Sequence, residues 1–521
     1  MQPLWYRNAV TYQIDPAMYD DANGDGRGDL RGITDRLEYI RGLGATCLWL
    51  LPIYASPYRD GGYDVADHLQ VDPRFGDVAD FVALLDKADT LGLRVILDLV
   101  FQHTSTEHRW FQEARSDRRS PYRDYYVWSD EPVETDVSPA FPPTEQSVWT
   151  WDDEAQQFYR HVFYSHEPDL DLGNPRVREE MYRAMSFWMR LGVAGFRVDA
   201  VPFMVERARA ADPTRDGLWL LEEMRRYVGL RNPQALLLGE VDVPPDEYDD
   251  YLGGGDRLTM LLDFWKNNHV FLALARGEAE PLLRAIKEQP DPTALGSYAP
   301  FLRNHDELDL ERLTASSREE VFRAFAPEER MRAYGRGIRR RLAPMLDDDP
   351  DRIAMAHALL LSLSGSPVLL YGDEIGMGED LSRPERASVR TPMEWRTAYQ
   401  QAADPQSLLS RVGDLVRTRL GAPAIATGER EALDPGNRAV FCLRHHGVGQ
   451  TVVTAVNLAG EAVDCELPGT DADELQDIVA DADYPRPSGS PARLRLNAYG
   501  YRWFRVGPAG GPDRRVDGGT G

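Results

Sequence analysis

Short apolar segments alternate with amphipathic segments over most of the chain, and this alternation restricts the folds that the chain can adopt. Residues 10–14, 46–51 and 94–100 have the apolar character of buried strands. Between them, residues 35–43 and 81–91 have helical periodicity, and a glycine follows each of these two segments. Strand, helix, strand, helix at this spacing predicts βα units and a parallel sheet.

The same alternation resumes after residue 166. The predicted helices cover residues 177–191, 217–230, 271–287 and 352–363, and the predicted strands cover residues 195–198, 236–238, 258–262, 298–302 and 368–371. With the first three strands the total is eight, which predicts an α/β fold, a TIM (β/α)8 barrel. The barrel would comprise residues 1–103 and 167–432, with a helical insert at about 308–350.

Two parts of the chain break this pattern. Residues 104–166 are rich in Pro, Trp, Tyr and Asp, which indicates a small irregular domain inserted into the barrel, called domain B below. Residues 433–507 contain segments that alternate apolar and polar side chains, which predicts a C-terminal antiparallel β-sandwich. Residues 508–521 are rich in Gly and Pro, and we expect a flexible tail there.

Charge and cysteine spacing narrow the possible partners. A formal net charge of −26 repels nucleic-acid phosphates, so no nucleic acid is expected as a partner. The three cysteines show no Cys-x-x-Cys spacing, which argues against a disulfide scaffold or a zinc site. No apolar run approaches the roughly 20 residues that span a bilayer, and the first ten residues lack a signal-peptide layout. We therefore expect a cytoplasmic protein with no membrane partner; its oligomeric state stays open.

Oxygen ligands alternate with small residues at positions 21–29, after the first predicted strand. A tight loop of this kind can direct several oxygens onto one hard cation, and the spacing matches the start of an EF-hand loop. Gly32 stands where an EF-hand has its closing Glu, so a plain Gly/Asp-rich turn is the alternative. We predict one structural Ca2+, with ligands from Asp21, Asn23, Asp25, Asp29 and the carbonyl of Arg27.

Four predicted strands lead into chemically active side chains, and the carboxyl ends of barrel strands are where active sites lie. Arg197 and Asp199 stand two residues apart on one strand and point to the same side, although a structural ion pair would explain these two alone. Several carboxylates in one barrel mouth are unfavourable without a catalytic use. The residues at the four strand ends are Asp98, His103, Arg197, Asp199, Glu240, Arg303, His305 and Asp306. A zinc hydrolase is the alternative, but no His-Glu-x-x-His pair is present.

These motifs resemble the four signature regions of glycoside hydrolase family 13, the α-amylase family, and they occur in the same order. The resemblance implies that Asp199 is the nucleophile, Glu240 the general acid/base and Asp306 the stabiliser of the transition state. Retaining cleavage needs one ionised and one protonated carboxyl group. Arg197 favours the ionised form of Asp199, whereas Glu240 has no basic neighbour in the sequence and is expected to stay protonated longer.

The resemblance also implies which residues bind the sugar. Tyr63 and Asp64 match the family's stacking tyrosine and sugar-binding aspartate, and Arg390 would pair with Asp64 over the terminal glucose. Three further side chains would line the same subsite: His103, Arg197 and His305.

Within the family the chain is similar to the oligo-1,6-glucosidase branch, and inside that branch to the trehalose synthases. Segments 301–311 and 334–344 carry the second likeness, in which Glu307 and Glu311 match residues that gate the side of the leaving sugar. The resemblance implies interconversion of maltose and trehalose, both small disaccharides, by intramolecular glucosyl transfer with some hydrolysis. The alternative is an α-glucosidase, or an α-glucosyltransferase acting on another short α-glucoside such as sucrose.

Three positions depart from the trehalose synthase pattern. Gln102 replaces an Asn that helps to bind a metal, so the pattern does not support a second calcium. Phe203 replaces a Tyr and Asp242 an Asn, both near the leaving sugar. Because these two changes remove a hydroxyl and an amide, we expect some of the freed glucose to escape before transfer.

Overall fold

A closed barrel of eight parallel strands forms the centre of the protein, in agreement with the predicted fold. The computed structural model describes residues 4–134, 137–142 and 144–507. Each strand pairs with the next along the chain, β8 pairs with β1, and a parallel bridge from Phe301 to Val368 joins the last two strands. The strands are β1 Thr11–Ile14, β2 Cys47–Leu50, β3 Arg94–Leu99, β4 Gly195–Val198, β5 Leu236–Gly239, β6 Met260–Leu262, β7 Tyr298–Ala299 and β8 Val368–Leu370.

Helices cover the outside of the barrel and begin at the residue types that favour helix starts. Asp77 caps Val78–Thr90 with a capping box, and Asn174 caps Pro175–Leu191. The longer helices are Leu30–Leu43, Val78–Thr90, Pro175–Leu191, Val201–Ala211, Trp219–Gly229, Phe264–Arg276, Glu280–Glu288, Ala315–Phe325, Pro350–Leu361, Trp395–Ala402 and Leu408–Leu420. Single-turn and 3-10 segments are Trp5–Asn8, Pro16–Tyr19, Pro245–Glu247, Tyr248–Leu252, Glu329–Met331, Leu342–Met345, Asp373–Ile375, Glu385–Val389, Pro423–Thr427 and Ala472–Glu474.

Two helix predictions need correction. The single helix expected at 271–287 is two helices, which separate at Gly277 because its φ of 65° lies in the left-handed region. The insert expected to be helical at about 308–350 contains one longer helix, Ala315–Phe325, and a three-stranded sheet whose strands have two residues each. Strands so short leave no periodicity in the sequence, so the pattern could not reveal them. They are Leu308–Asp309, Arg332–Ala333 and Gly337–Ile338.

Domain B leaves the barrel after β3 and returns to its mouth. It contains the helix Arg109–Ser116, the 3-10 turn Arg123–Tyr125 and a three-stranded antiparallel sheet, so it is more regular than the sequence indicated. An antiparallel bridge between His103 and Asp169 joins its two ends. The sheet strands are Trp128–Ser129, Gln157–Arg160 and Trp149–Asp152. A second small hairpin, Tyr54–Ala55 with Asp67–Val71, follows β2.

The C-terminal region is a two-sheet antiparallel sandwich, as predicted. Its five-stranded sheet runs in the order Glu429–Ala432, Val440–Gly447, Gln450–Asn457, Tyr501–Val506, Leu475–Ala480, and its second sheet pairs Val463–Leu467 with Ala492–Leu496. Cys442, Val453 and Phe504 of the first sheet pack with Leu467 and Leu494 of the second. The predicted tail at 508–521 lies outside the described residues. Within the described ranges, no helix combines the length and the apolar character needed to cross a membrane.

Candidate active site

A pocket of about 450 Å³ opens at the carboxyl ends of the barrel strands. Parallel strands all end at the same rim, so side chains that follow different strands meet there. Domain B residues 138–142 and the insert after β7 form its outer wall. The charged residues that line it are Asp60, Asp199, Glu240, Asp242, Asp306, Glu307, Asp309, Glu311, Arg336 and Arg386.

Arg197 is the cation at the centre of the strand ends. It is buried, and its guanidinium contacts Asp98, Asp199 at 2.5 Å and Glu240 at 2.8 Å. Glu240 also accepts a hydrogen bond from the backbone N–H of Ala200, at 2.9 Å. Glu240 has no basic neighbour along the sequence, but it has one in space. Strands β4 and β5 are adjacent, and their pairing brings Arg197 to Glu240.

Three carboxyl groups share this one guanidinium, and their charges are coupled. Burial raises the pKa of Asp199 well above its usual value, Arg197 opposes that rise, and Glu240 and Asp98 add to it. Burial likewise raises the pKa of Asp98 to about 6 against the effect of Arg197. Because one positive charge faces three buried carboxyl groups, the ionisation of each depends on the other two. Retaining glycoside cleavage uses two such neighbouring carboxyl groups, one ionised and one protonated.

Asp306 has the opposite electrostatic environment. Burial acts to raise its pKa, but Arg386, His305 and Arg390 outweigh burial and hold the pKa well below the usual range. Arg390 approaches Asp306 at 2.8 Å, and Arg386 and His305 approach it at 3.2 Å. Asp306 is therefore a carboxylate throughout the neutral range, and its negative charge faces the pocket.

Tyr63 and His305 form a stacked pair beside the Arg197 cluster. Their rings lie 5.5 Å apart at an angle of 11°, and the tyrosine hydroxyl is 2.7 Å from His305 Nε2. Gln13 Nε2 donates to His305 Nδ1 at 2.9 Å, which leaves the ring proton on Nε2. Burial lowers the pKa of His305 well below its usual value, so the ring is neutral at pH 7 and its Nε2–H is available to Tyr63 or Asp306.

His103 lines the pocket and is also neutral. Its Nε2 is 3.2 Å from the carbonyl oxygen of Tyr63, and burial lowers its pKa to about 4. The preceding residue, Gln102, is fully buried, and its amide atoms find no hydrogen-bond partner among the described residues.

The predicted pairing of Asp64 with Arg390 is wrong. Asp64 is fully buried below the pocket, where it accepts hydrogen bonds from the Ser56 hydroxyl at 2.9 Å and from the backbone N–H groups of Arg59 and Asp60 at 3.0 and 3.2 Å. Its hydrogen-bonding capacity is used within its own loop, which holds that loop in place instead of contacting a sugar. Asp64 is absent from the pocket lining, whereas its neighbour Asp60 is part of it.

An ion pair in the pocket wall joins Asp60 and Arg386, two residues that the sequence patterns did not single out. Arg386 Nη2 donates to both carboxylate oxygens of Asp60, at 2.7 and 2.9 Å. Each residue lies four positions before the one that the motif had indicated, Asp64 and Arg390. Gly61 leaves room for Arg390, because a Cβ there would lie 2.0 Å from Arg390 Nη1, but no sequence signal singled out Asp60 or Arg386.

The insert supplies an acidic wall on the opposite side of the pocket. Burial and the charge of Asp306 raise the pKa of Glu307 to about 7, and Glu307 lies 3.6 Å from Arg336. Asp309 binds Arg336 more closely, at 2.6 Å. Glu311 stands at the outer rim with 54% of its side chain exposed. The predicted gating residues are thus in the pocket, Glu307 inside it and Glu311 at its entrance.

Two of the three departures from the trehalose synthase pattern, Asp242 and Phe203, face this same wall. Asp242 binds Arg312 at 3.0 Å, and burial together with Asp309 raises the pKa of Asp242 well above its usual value. Phe203 lines the pocket and packs edge-on against Phe163, with ring centres 5.3 Å apart. Both side chains therefore line the part of the pocket between Glu240 and the insert, where they can contact a bound ligand.

The predicted calcium loop lies in front of the first barrel helix, away from the pocket lining. Asp29 caps that helix by accepting from Gly32 N–H at 2.7 Å, and Asp21 accepts from Gly24 and Gly26. Hydrogen bonds from backbone N–H groups, Gly26 first, lower the pKa of Asp21, which keeps its carboxylate ionised. Asn23 and Asp25 accept backbone hydrogen bonds in the same way. Oxygen donors that alternate with small residues along a loop are of the type that Ca2+ prefers. Among the described residues, the acidic side chains grouped closely enough to hold a metal are Asp242, Asp309 and Glu311, and those of this loop are not.

Comparisons with known proteins agree with this arrangement. A family model described as the α-amylase catalytic domain matches residues 13–320, and one described as the C-terminal domain of maltogenic amylase matches residues 430–503. A trehalose synthase/amylase of Mycolicibacterium smegmatis is 45% identical over 96% of this chain and 92% of its own. A trehalose synthase of Pimelobacter is 37% identical over 97% of this chain and 96% of its own.

Solved structures show the same architecture. The trehalulose synthase of Pseudomonas mesoacidophila is 25% identical, with a TM-score of 0.78 over 97% of this chain and all of its own. An α-amylase from H. orenii is 24% identical, with a TM-score of 0.79 over 96% of this chain and 99% of its own, and that likeness concerns the fold alone. The catalytic-domain match covers more than half of the chain and contains the carboxylate cluster. The chain therefore belongs to the α-amylase family, glycoside hydrolase family 13.

Proposed function

We propose that the protein is a retaining α-glucosyltransferase of the trehalose synthase kind, which interconverts maltose and trehalose and hydrolyses a share of each. The observation that carries this proposal is the pair Asp199 and Glu240 on one guanidinium, inside a pocket whose wall holds the Asp60–Arg386 ion pair. The trehalose synthases that resemble the chain over nearly its whole length support the choice of substrate.

In the first step, the Asp199 carboxylate attacks the anomeric carbon of the bound α-glucoside while Glu240 donates its proton to the glycosidic oxygen. The products are a β-glucosyl ester on Asp199 and a free glucose, and Glu240 is left ionised. In the second step, a hydroxyl of that glucose attacks the same carbon, Glu240 takes the hydroxyl proton, and Asp199 is released. Attack by O1 instead of O4 converts maltose into trehalose; attack by water gives two glucose molecules.

Asp306 and the ion pair beside it would stabilise the reacting sugar. An ionised Asp306 opposes the positive charge that develops on the sugar ring, and its low pKa supports this role. Asp60 and Arg386 offer paired acceptors and donors to the hydroxyls of the terminal glucose. Tyr63, stacked on His305, offers a flat face to the same ring.

The wall of the insert would hold the freed glucose while it turns. Carboxylates of Glu307 and Glu311 can accept hydrogen bonds from several of its hydroxyls. Phe203 supplies no hydroxyl, and Asp242 is engaged by Arg312, so we expect the hold on the freed glucose to be incomplete. Losing one or two hydrogen bonds of about 1–3 kcal/mol each would speed glucose escape roughly tenfold or more.

An α-glucosidase, or a glucosyltransferase with another acceptor, is the second candidate. The same Phe203 and Asp242 favour it, because they weaken retention of the leaving sugar. A glucan 1,6-α-glucosidase of Streptococcus pneumoniae, 30% identical over 90% of this chain, marks the hydrolytic side of the family.

Separate incubations with maltose, trehalose and sucrose, with all sugars resolved over time, decide between the two. The first proposal requires trehalose from maltose and maltose from trehalose, with free glucose as a by-product. Glucose as the only product from maltose would replace it with the α-glucosidase.

We further propose one structural Ca2+ bound by Asp21, Asn23, Asp25, Asp29 and the carbonyl of Arg27. The oxygen donors that alternate with small residues along this loop, and the ionised Asp21, support it. The ion would hold the loop that starts the first barrel helix, so its effect would fall on stability more than on rate.

A cytoplasmic location is also proposed. Cys47, Cys442 and Cys465 are free and buried, which is what a reducing compartment permits. Cell fractionation with an antibody against the protein would test the location.

A further inference from the structure

The carboxylate of Glu385 joins three segments of the chain that meet above the pocket. It accepts hydrogen bonds from the hydroxyls of Thr144 at 2.6 Å, Tyr164 at 2.6 Å and Tyr334 at 3.0 Å. Thr144 and Tyr164 belong to domain B, Tyr334 to the insert, and Glu385 to the loop after β8. We call these four residues the Glu385 latch.

The latch is packed against the wall of the pocket through one aromatic ring. Phe141 lines the pocket, and its ring centre lies 4.6 Å from that of Tyr164 and 5.0 Å from that of Tyr334. The guanidinium of Arg386 lies 4.5 Å from the same ring, on its way to Asp60. Opening the latch would therefore loosen both the outer wall and the arginine that faces the substrate.

Backbone conformation marks the latch as a place where strain is held. Tyr334 and Glu385 both have positive φ, 53° and 42°, which is unfavourable for residues with a Cβ. Such residues persist only where surrounding contacts hold them, and here they hold each other through the hydroxyl–carboxylate bond. Burial acts to raise the pKa of Glu385, but the three hydroxyl groups and Arg386 outweigh burial and lower it. The Glu385 carboxylate therefore stays ionised.

We infer that the Glu385 latch keeps water out of the pocket during the lifetime of the glucosyl ester, and so sets the ratio of transfer to hydrolysis. Glu385 and Tyr334 do not line the pocket, so Glu385 acts as a positioning residue through Phe141 and Arg386. Water competes with the freed glucose for the same carbon, and a looser wall favours water because it admits solvent and releases the sugar. The inference rests on the retaining mechanism proposed above.

Partition of the glucosyl group between water and 13C-labelled glucose added to the reaction tests this role. During consumption of maltose, trehalose and labelled disaccharide are counted as transfer, and the unlabelled free glucose that exceeds the labelled disaccharide is counted as hydrolysis. Glu385→Ala should raise the ratio of hydrolysis to transfer about tenfold, and Tyr334→Phe, which removes one hydroxyl, about threefold. The rate of maltose cleavage should fall less than this ratio rises. Tyr182→Phe is the matched control, because Tyr182 donates to Glu223 at 3.0 Å on the outer face of the barrel; its ratio should equal that of the wild type.

An unchanged ratio in Tyr334→Phe, with a normal melting temperature, would overturn the inference, and so would equal falls in cleavage and transfer in both latch variants. If Glu385→Ala does not fold, the ratio of hydrolysis to transfer is compared in Tyr334→Phe and Thr144→Ala, and these two variants test the inference. The two proposals fail in different ways. A wild-type enzyme that forms no trehalose but still transfers to labelled glucose refutes the isomerase and leaves the latch testable, whereas free glucose as the sole product, with neither trehalose nor labelled disaccharide, refutes both.

Discussion

Replacing Arg386 by Ala should reduce kcat/KM for maltose about a hundredfold. The change removes the two bonds to Asp60, at 2.7 and 2.9 Å, and the 3.2 Å contact with Asp306. Arg386 is proposed to hold the terminal glucose, and a hydrogen bond to a charged group is worth about 1.5–3 kcal/mol. Arg390 and His305 remain beside Asp306 and reduce that loss. We therefore expect about 3 kcal/mol, and each 1.4 kcal/mol corresponds to a factor of ten.

The same substitution should move the acidic limb of the pH profile. Burial acts to raise the pKa of Asp306, and Arg386 is the strongest of the groups that lower it. Without Arg386 that pKa rises, so Asp306 takes up its proton, and activity is lost, at a higher pH than in the wild type. kcat/KM measured from acidic to neutral pH would reveal the shift.

Two further variants complete this test. Arg386→Lys keeps the positive charge but not the bidentate hydrogen bonding to Asp60. The loss of kcat/KM in this variant should therefore be smaller than in Arg386→Ala. Arg257→Ala removes an arginine–glutamate pair at 2.9 Å elsewhere in the protein and should leave both kcat/KM and the pH limb unchanged. The reasoning is refuted if Arg386→Ala stays within threefold of the wild type with an unmoved acidic limb.

Three other predictions follow from the site and the loop. Asp199→Asn should abolish turnover without lowering the melting temperature, because the amide cannot form the glucosyl ester; a rate above about one hundredth of the wild type would contradict the assignment. Phe203→Tyr combined with Asp242→Asn should lower the share of free glucose formed from maltose; an equal or larger share would show that neither side chain controls glucose escape. A chelator should lower the melting temperature more than the rate of the folded enzyme, and Asp21→Ala should remove that sensitivity. An unchanged melting curve, with no calcium by elemental analysis, would exclude the proposed ion.

The barrel and the gathering of its polar residues could be predicted from the sequence because both depend on simple periods. Helical and strand segments alternate, and parallel strands in a barrel must end at one rim. Side chains two positions apart on a strand point to the same face, so the sequence predicted the contact between Arg197 and Asp199. The C-terminal sandwich could be predicted for the same reason, because apolar and polar side chains alternate every second residue along its strands. The insert did not, because its two-residue strands are too short to show any period.

Which charges pair with which was decided only by the tertiary structure. Asp60 and Arg386 are 326 positions apart and lie in loops, where side-chain direction has no period to read. Asp64 and Arg390, four positions further along the chain, carry the same charges. Asp64, however, accepts hydrogen bonds from backbone N–H groups, and Arg390 forms an ion pair with Asp306. Glu240 acquired its basic neighbour in the same manner, through the pairing of β4 with β5. Sequence alone determined the strands, the rim and the carboxylates placed on it; the paths of the loops determined the partner of each charge, because Coulomb interactions depend on distances in space and not along the chain.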